Sequence, residues 1–154
     1  MKIFKPKFWS KINLLSLIFL PFSFFTFLIY LFKKIVLKSD NFKIPIVCVG
    51  NIYVGGTGKT PLSIYIFNFL KNKKFNPAFI KKYYKSHLDE INLVKSKVKN
   101  FYSDKKRALS IFRSKSAGSK VIVMDDGLQD KSIPKSLNIV CFNSIDLIGN
   151  GFLL

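Results

Sequence analysis

The feature that most constrains this chain is the stretch from Ile44 to Pro61, IPIVCVGNIYVGGTGKTP, in which a short apolar run breaks into glycines and ends on Gly58-Lys59-Thr60. The run Ile44 to Val49 is nearly all apolar, as a parallel strand covered on both faces should be. A buried strand, a glycine-rich turn and a helix start, in that order, turn successive backbone N–H groups toward a polyphosphate at the positive end of the helix. Lys59 is then placed to reach the β- and γ-phosphates, and the Thr60 hydroxyl to ligate Mg²⁺. One position departs from the usual phosphate-loop pattern. Tyr53 stands where a first glycine is expected, and Gly55, Gly56 and Gly58 supply the flexibility instead. The competing reading of the same residues is a glycine turn followed by an ordinary helix whose lysine is solvated.

Downstream, short apolar strands alternate with helical stretches, which is the signature of an α/β fold with its ligand site at the carboxyl ends of the strands. Lys59 to Lys71 places Leu62, Ile66, Phe69 and Leu70 at helical spacing, with Pro61 tolerated in the first turn. Ala78 to Tyr84 reads as a second strand running into Lys81, Lys82 and Lys85. Leu88 to Val98 reads as a weakly amphipathic helix, and Asp104 as the N-cap of a helix to about Ser116 that ends near Gly118. Val121 to Met124 and Leu137 to Phe142 complete the set of strands. There are no internal repeats.

Two acidic pairs stand out in a chain with 8 Asp and Glu residues. In VIVMDDG an apolar strand delivers Asp125 and Asp126 to its carboxyl end, where a carboxylate can bind Mg²⁺ directly or through water. An acidic turn would look the same in isolation. Asp89-Glu90 suits a helix N-terminus satisfied by the macrodipole, or a carboxylate that orients or deprotonates an acceptor hydroxyl. His87, the sole histidine, reads as solvent-facing or packing. Cys48 and Cys141 both read as small buried hydrophobes in a reducing compartment.

Ahead of this lobe, Ile12 to Phe32 is a charge-free run of 21 residues, INLLSLIFLPFSFFTFLIYLF. That is long enough for one helical crossing of a bilayer, which needs about 20. Lysines on both flanks, from Lys2 to Lys11 and from Lys33 to Lys43, would hold both ends on the cytoplasmic face. Pro21 favours a break near the middle. The expectation is two short apolar helices dipping into one leaflet, with Trp9 and Tyr30 near the interface and lysines on anionic headgroups. The domain boundary is expected between 43 and 44, with Lys38 to Lys43 as linker. The net charge of +18 is nearly all lysine and by itself is a weak guide to partners. No basic helix with interleaved aromatics supports nucleic acid as a partner, and no Asn-Lys-x-Asp segment favours guanine over adenine.

GNIYVGGTGKTP at Gly50 to Pro61, DDGLQ at Asp125 to Gln129 and GNGFLL at Gly149 to Leu154, behind a hydrophobic N-terminus, resemble the tetraacyldisaccharide 4'-kinase family, the lipid A 4'-kinases. The resemblance spans essentially all of the residues and corresponds to the N-terminal half of such an enzyme. It implies a P-loop NTPase-like parallel sheet flanked by helices on the cytoplasmic face of the bacterial inner membrane. It also implies transfer of the γ-phosphate of ATP to the 4'-hydroxyl of a lipid A disaccharide precursor. Carried over residue by residue, Tyr53, Val54, Gly55, Gly56, Thr57, Gly58, Lys59 and Thr60 would hold ATP, with Thr60 and Asp125 serving Mg²⁺. Asp126 would support the catalytic centre beside Lys59. The family's base lies in a Gly-Asp-Glu-Pro segment whose nearest counterpart is Leu88-Asp89-Glu90-Ile91, so Asp89 is the expected catalytic base.

Several positions differ from the family pattern. A Ser-Arg-Gly-Tyr-Gly segment is represented by Ile80-Lys81-Lys82-Tyr83-Tyr84, and Asp130 stands where a histidine usually follows DDGLQ. The chain ends at Leu154 within a motif that normally continues into a second lobe, so the sequence reads as truncated and as inactive alone. Two alternatives remain open: a membrane-tethered nucleotide-binding or ATPase module without a lipid substrate, and a non-catalytic membrane-associated protein whose phosphate loop has decayed.

Overall fold

The computed structural model describes Leu14, Ile18 and residues 20–36, 41–51 and 57–142. They fall into two compact units, one of which, Ser39–Cys141, carries the sheet. Its elements in chain order are β1 (Ile46–Asn51), α2 (Lys59–Asn72), β2 (Pro77–Lys81), α3 (Leu88–Lys97), β3 (Phe101–Tyr102), α4 (Arg107–Ser116), β4 (Val121–Asp125) and β5 (Leu137–Cys141). The other unit contains α1 (Leu20–Val36).

All five strands are parallel and ordered β3-β2-β4-β1-β5. Parallel neighbours need a crossover, and α2, α3 and α4 supply three of them. Because β1 lies beside β4, with Val49 opposite Asp125, the segment after β1 and the acids after β4 open at the same edge of the sheet. The P-loop NTPase-like parallel sheet expected from the sequence is the observed architecture.

Alternating side chains divide the core between the two faces. On one face Ile46, Cys48, Ile80, Ile122 and Met124 pack with Ile111 of α4 and with Ile133. On the other, Phe79 and Val123 pack with Phe67 of α2 and with Val94 and Val98 around α3. Phe79 meets Phe67 and Phe101 at ring distances of 6.2 and 6.1 Å, and burying each large apolar side chain contributes about 1.5–3 kcal/mol. Asp125 and Lys81 end their strands on the α2 face, two residues beyond Val123 and Phe79.

Several details depart from the sequence reading. The strand expected from Ile44 begins at Ile46 and runs to Asn51, and the second strand stops at Lys81 rather than Tyr84. On α2 the buried side chains are Ser63 and Phe67, while Phe69 is exposed. The helix is rotated so that Thr60 and Ser63 can bond Asp125, which apolar spacing alone does not reveal. Asp104 does not cap α4. The N-cap is Lys106, and Asp104 instead accepts hydrogen bonds from Ser110 Oγ at 2.8 Å and Arg113 Nη1 at 3.1 Å. Gly118 does end that helix, at φ 82°, with Ser119 N–H returning to the Ser114 carbonyl. Phe42, read as linker, is buried and stacks edge-on against Phe112 at 5.5 Å. Cys48 is fully buried, and its thiol is pushed up by burial, whereas Cys141 ends strand β5 only half-buried.

In the other unit, α1 starts at Leu20 with Pro21 in its first turn, where the missing N–H is not needed. Its 17 residues span about 25 Å, against a hydrocarbon layer of about 30 Å. Phe22, Phe24, Phe25 and Phe32 are all exposed. Among the described residues no helix is long and apolar enough to cross a membrane. Trp9 and the first lysines lie outside the described residues, as does the segment after Phe142.

Candidate functional site

The site forms where β1, β2 and β4 end and α2 begins. Gly58 is the N-cap of α2 at φ 74° and ψ 15°, left-handed backbone that side-chain-bearing residues rarely adopt. Among the described residues no side chain caps this helix, and its own first turn contains no acid. Tyr53, Val54, Gly55 and Gly56 lie outside the described residues. Thr57, Gly58, Lys59 and Thr60 all line a cavity of about 320 Å³, together with Asp125, Asp126, Glu90 and Arg107.

Two cations meet two aspartates here. Lys59 Nζ donates to Asp126 Oδ1 at 3.2 Å and to Asn51 Oδ1 at 2.8 Å, joining the start of α2 to the ends of β1 and β4. The Thr60 hydroxyl donates to Asp125 Oδ2 at 2.9 Å, and Ser63 Oγ donates to Asp125 Oδ1 at 3.2 Å. Asp125 is fully buried, and its charge is met by Lys81 Nζ at 2.6 Å. Asp126 is half-exposed and held at φ 58°, its N–H bonded to the Val49 carbonyl at 2.8 Å and its own carbonyl bonded by Arg107. Gly127 must follow: a Cβ there would collide with the Met124 side chain and lie 3.1 Å from Cys48 Sγ.

The second acidic pair is divided differently. Asp89 and Glu90 occupy the first turn of α3, where the helix dipole favours them. Glu90 turns to Lys81 Nζ at 3.0 Å and lines the cavity, whereas Asp89 is exposed and is not among the lining residues. The hydrogen bond from Lys81 holds the Glu90 carboxyl below the ordinary glutamate range, although partial burial opposes it. His87 is half-exposed, lines the same cavity and packs tilted against Tyr84, with ring centroids 5.8 Å apart.

Three contributors, Ser63, Lys81 and Arg107, escaped the sequence reading, and a fourth, Glu90, was weighed there only as half of an acidic pair. Ser63 could have been found as the small polar residue three positions after Thr60, on the same side of α2. Lys81 and Glu90 meet only through the fold. Arg107 begins α4 almost wholly buried, bonds the Asp126 carbonyl and pairs with Asp130 at 3.3 Å. It also lines a second cavity of about 370 Å³ with Gln129, Asp130, Lys82 and Tyr84. Asp130 further accepts from Ser132 Oγ at 2.6 Å. Burial pushes its carboxyl up, but the Ser132 and Arg107 bonds outweigh that and leave it below the ordinary aspartate range.

The donor chemistry fits a phosphorylated nucleotide with Mg²⁺. Thr57 Oγ1 and Arg107 Nε are buried beside the cavity and have no hydrogen-bond partner among the described residues, as groups awaiting phosphate oxygens would be. Thr60 and Asp125 are hard oxygen donors, and Mg²⁺ is commonly held by one or two carboxylates plus substrate phosphates. Among the described residues no group of three or more His, Cys, Asp or Glu side chains forms a self-sufficient metal cage.

A parallel sheet with a glycine-led helix start after β1, whose lysine and threonine meet strand-end aspartates of β4, defines a P-loop NTPase-like protein. The family is narrower than that class. The profile of tetraacyldisaccharide-1-P 4'-kinase (LpxK) matches residues 12–102 and 89–154, and the chain belongs to this family. The tetraacyldisaccharide 4'-kinase of Pelagibacter ubique is 45% identical over 156 residues, which cover 100% of this chain and 49% of the relative. That of Rickettsia canadensis is 33% identical, covering 99% of this chain and 52% of the relative. A solved structure of LpxK from Aquifex aeolicus in complex with ATP superposes with a TM-score of 0.69. It covers 86% of this chain and 50% of that one, and at 24% identity the likeness speaks to the fold. The chain spans about half the length of the curated relatives it matches.

Proposed function

We propose that this chain is the nucleotide-binding lobe of an ATP-dependent lipid kinase that phosphorylates the 4'-hydroxyl of a lipid A disaccharide precursor. The observation that carries the reading is the convergence of Lys59 on Asp126 and of Thr60 on Asp125 at the head of α2, 3.2 and 2.9 Å apart. Lys59, with the main chain from Tyr53 to Thr60, binds and orients the triphosphate. Thr60 and Asp125 would hold Mg²⁺, which would neutralise developing charge on the phosphate oxygens. Asp126 keeps the Lys59 ammonium in position until phosphate replaces it.

Asp89 is the carboxylate we assign to the acceptor hydroxyl. The assignment rests on its match to the acid of the family's Gly-Asp-Glu-Pro segment; Asp89 lies exposed in the first turn of α3, outside the cavity that Glu90 lines. The exposed phenylalanines of α1, with lysines on both flanks of its segment, support association with anionic lipid at the cytoplasmic face of the inner membrane.

A direct test joins this chain to the remaining half of the Pelagibacter ubique relative and follows label from γ-labelled ATP into the disaccharide. Transfer that disappears with Lys59→Ala and with Asp89→Asn is expected. Nucleotide hydrolysis unaffected by the lipid, with no labelled lipid formed, would contradict the assignment.

A further inference from the structure

Lys81 has no role in the reading so far, yet it occupies the middle of the site. Its ammonium lies 2.6 Å from Asp125 Oδ2, 3.0 Å from Glu90 Oε2 and 3.4 Å from Thr60 Oγ1. Three N–H donors thus meet three oxygens, and the group is saturated. The side chain is 8% exposed. Its position is also set by the backbone: Lys81 and Asp125 are partners in the β2–β4 register, so their side chains leave the sheet side by side on the α2 face. This is a pair built into the sheet, unlike a surface lysine resting on a nearby acid.

Two of the three oxygens around the ammonium are the donors assigned above to the divalent ion, and the third, on Glu90, is of the same hard type. Mg²⁺ needs such oxygens at about 2.0–2.1 Å, and an ammonium among them repels a second cation strongly at that distance. We infer that Lys81 is a tethered cation that occupies the divalent-metal position of the nucleotide-free protein, so that the metal enters only when Lys81 is displaced. This rests on the reading that Thr60 and Asp125 serve the metal. Lys81 is therefore a positioning residue: it pairs with the buried Asp125 carboxylate in place of a metal, and it couples metal entry to the arrival of a triphosphate whose oxygens can accept the displaced ammonium. The buried Asp125 would otherwise be an uncompensated charge.

The test uses Mn²⁺ as the probe, read by its electron paramagnetic resonance signal on the whole chain without nucleotide. The unaltered protein is expected to bind Mn²⁺ at least about tenfold more weakly than Lys81→Met, and adding Asp125→Asn to Lys81→Met should abolish the gain. Lys81→Arg, which keeps the cation, should stay as weak as the unaltered protein. Equal Mn²⁺ affinity in the unaltered protein and Lys81→Met would overturn the inference, whether both bind or neither does. If Lys81→Met fails to fold, circular dichroism during Mn²⁺ titration gives the same decision: recovery of structure in Lys81→Met but not in the double variant supports it, and no recovery overturns it. Because nucleotide is absent, the outcome is independent of kinase activity. A chain that binds ATP yet shows no Lys81 effect loses only this inference.

Discussion

The two acidic pairs of this protein have the same composition of charge and opposite fates. Asp125-Asp126 follows a buried strand, and the register of β4 against β1 and β2 fixes where each carboxylate goes: one into the core against Lys81, one onto Lys59. Asp89-Glu90 opens a helix on the surface, where the dipole rewards negative charge without dictating direction, and the members separate, Glu90 inward and Asp89 outward. A strand end gives a carboxylate an address. A helix start gives it only a neighbourhood.

The difference can be tested in decreasing order of effect. Asp125→Asn leaves the buried Lys81 ammonium with Glu90 as its remaining carboxylate partner, and should lower stability by about 3 kcal/mol in denaturant titration. A loss comparable to that of a surface substitution would break the contrast. Gly127→Ala should cost about 1–3 kcal/mol, because Met124 has to move to admit the methyl group. Asp130→Asn, in the turn beyond the same strand, should cost about 1 kcal/mol at neutral pH. Since the folded Asp130 carboxyl lies below its unfolded value of about 3.9, its contribution is complete above that pH and is lost as pH falls through the folded value. Stability of Asp130→Asn should accordingly fall less steeply with acidification below about pH 4 than that of the unaltered protein. Asp89→Asn, at the other pair, should stay within about 0.5 kcal/mol in the same titration, while Glu90→Gln loses the negative charge that faces Lys81 and falls further.

The same contrast explains what could be read from the sequence. Four of the five strands and the meeting of Lys59, Thr60, Asp125 and Asp126 were legible because an apolar run followed by a polar end carries its own geometry; the two-residue β3 (Phe101–Tyr102) is too short to carry such a signal, and the sheet order was not legible. The rotation of α2 was not, since Ser63 is buried by a hydrogen bond to Asp125 rather than by apolarity. Asp104 was misplaced as a helix cap because its partners, Ser110 and Arg113, lie further along α4 than a capping bond reaches. Lys81 and Arg107 looked like two more basic residues among 26. Only the sheet register and the start of α4 turn them inward.

The central claim is that the head of α2 holds a triphosphate through Lys59. Titrating the whole chain with a fluorescent ATP analogue in the presence of Mg²⁺ tests it most directly. Saturable binding that weakens at least about 100-fold in Lys59→Ala, with circular dichroism unchanged, is the predicted result. Equal binding by the two proteins, or none by the unaltered chain at millimolar nucleotide, would contradict it.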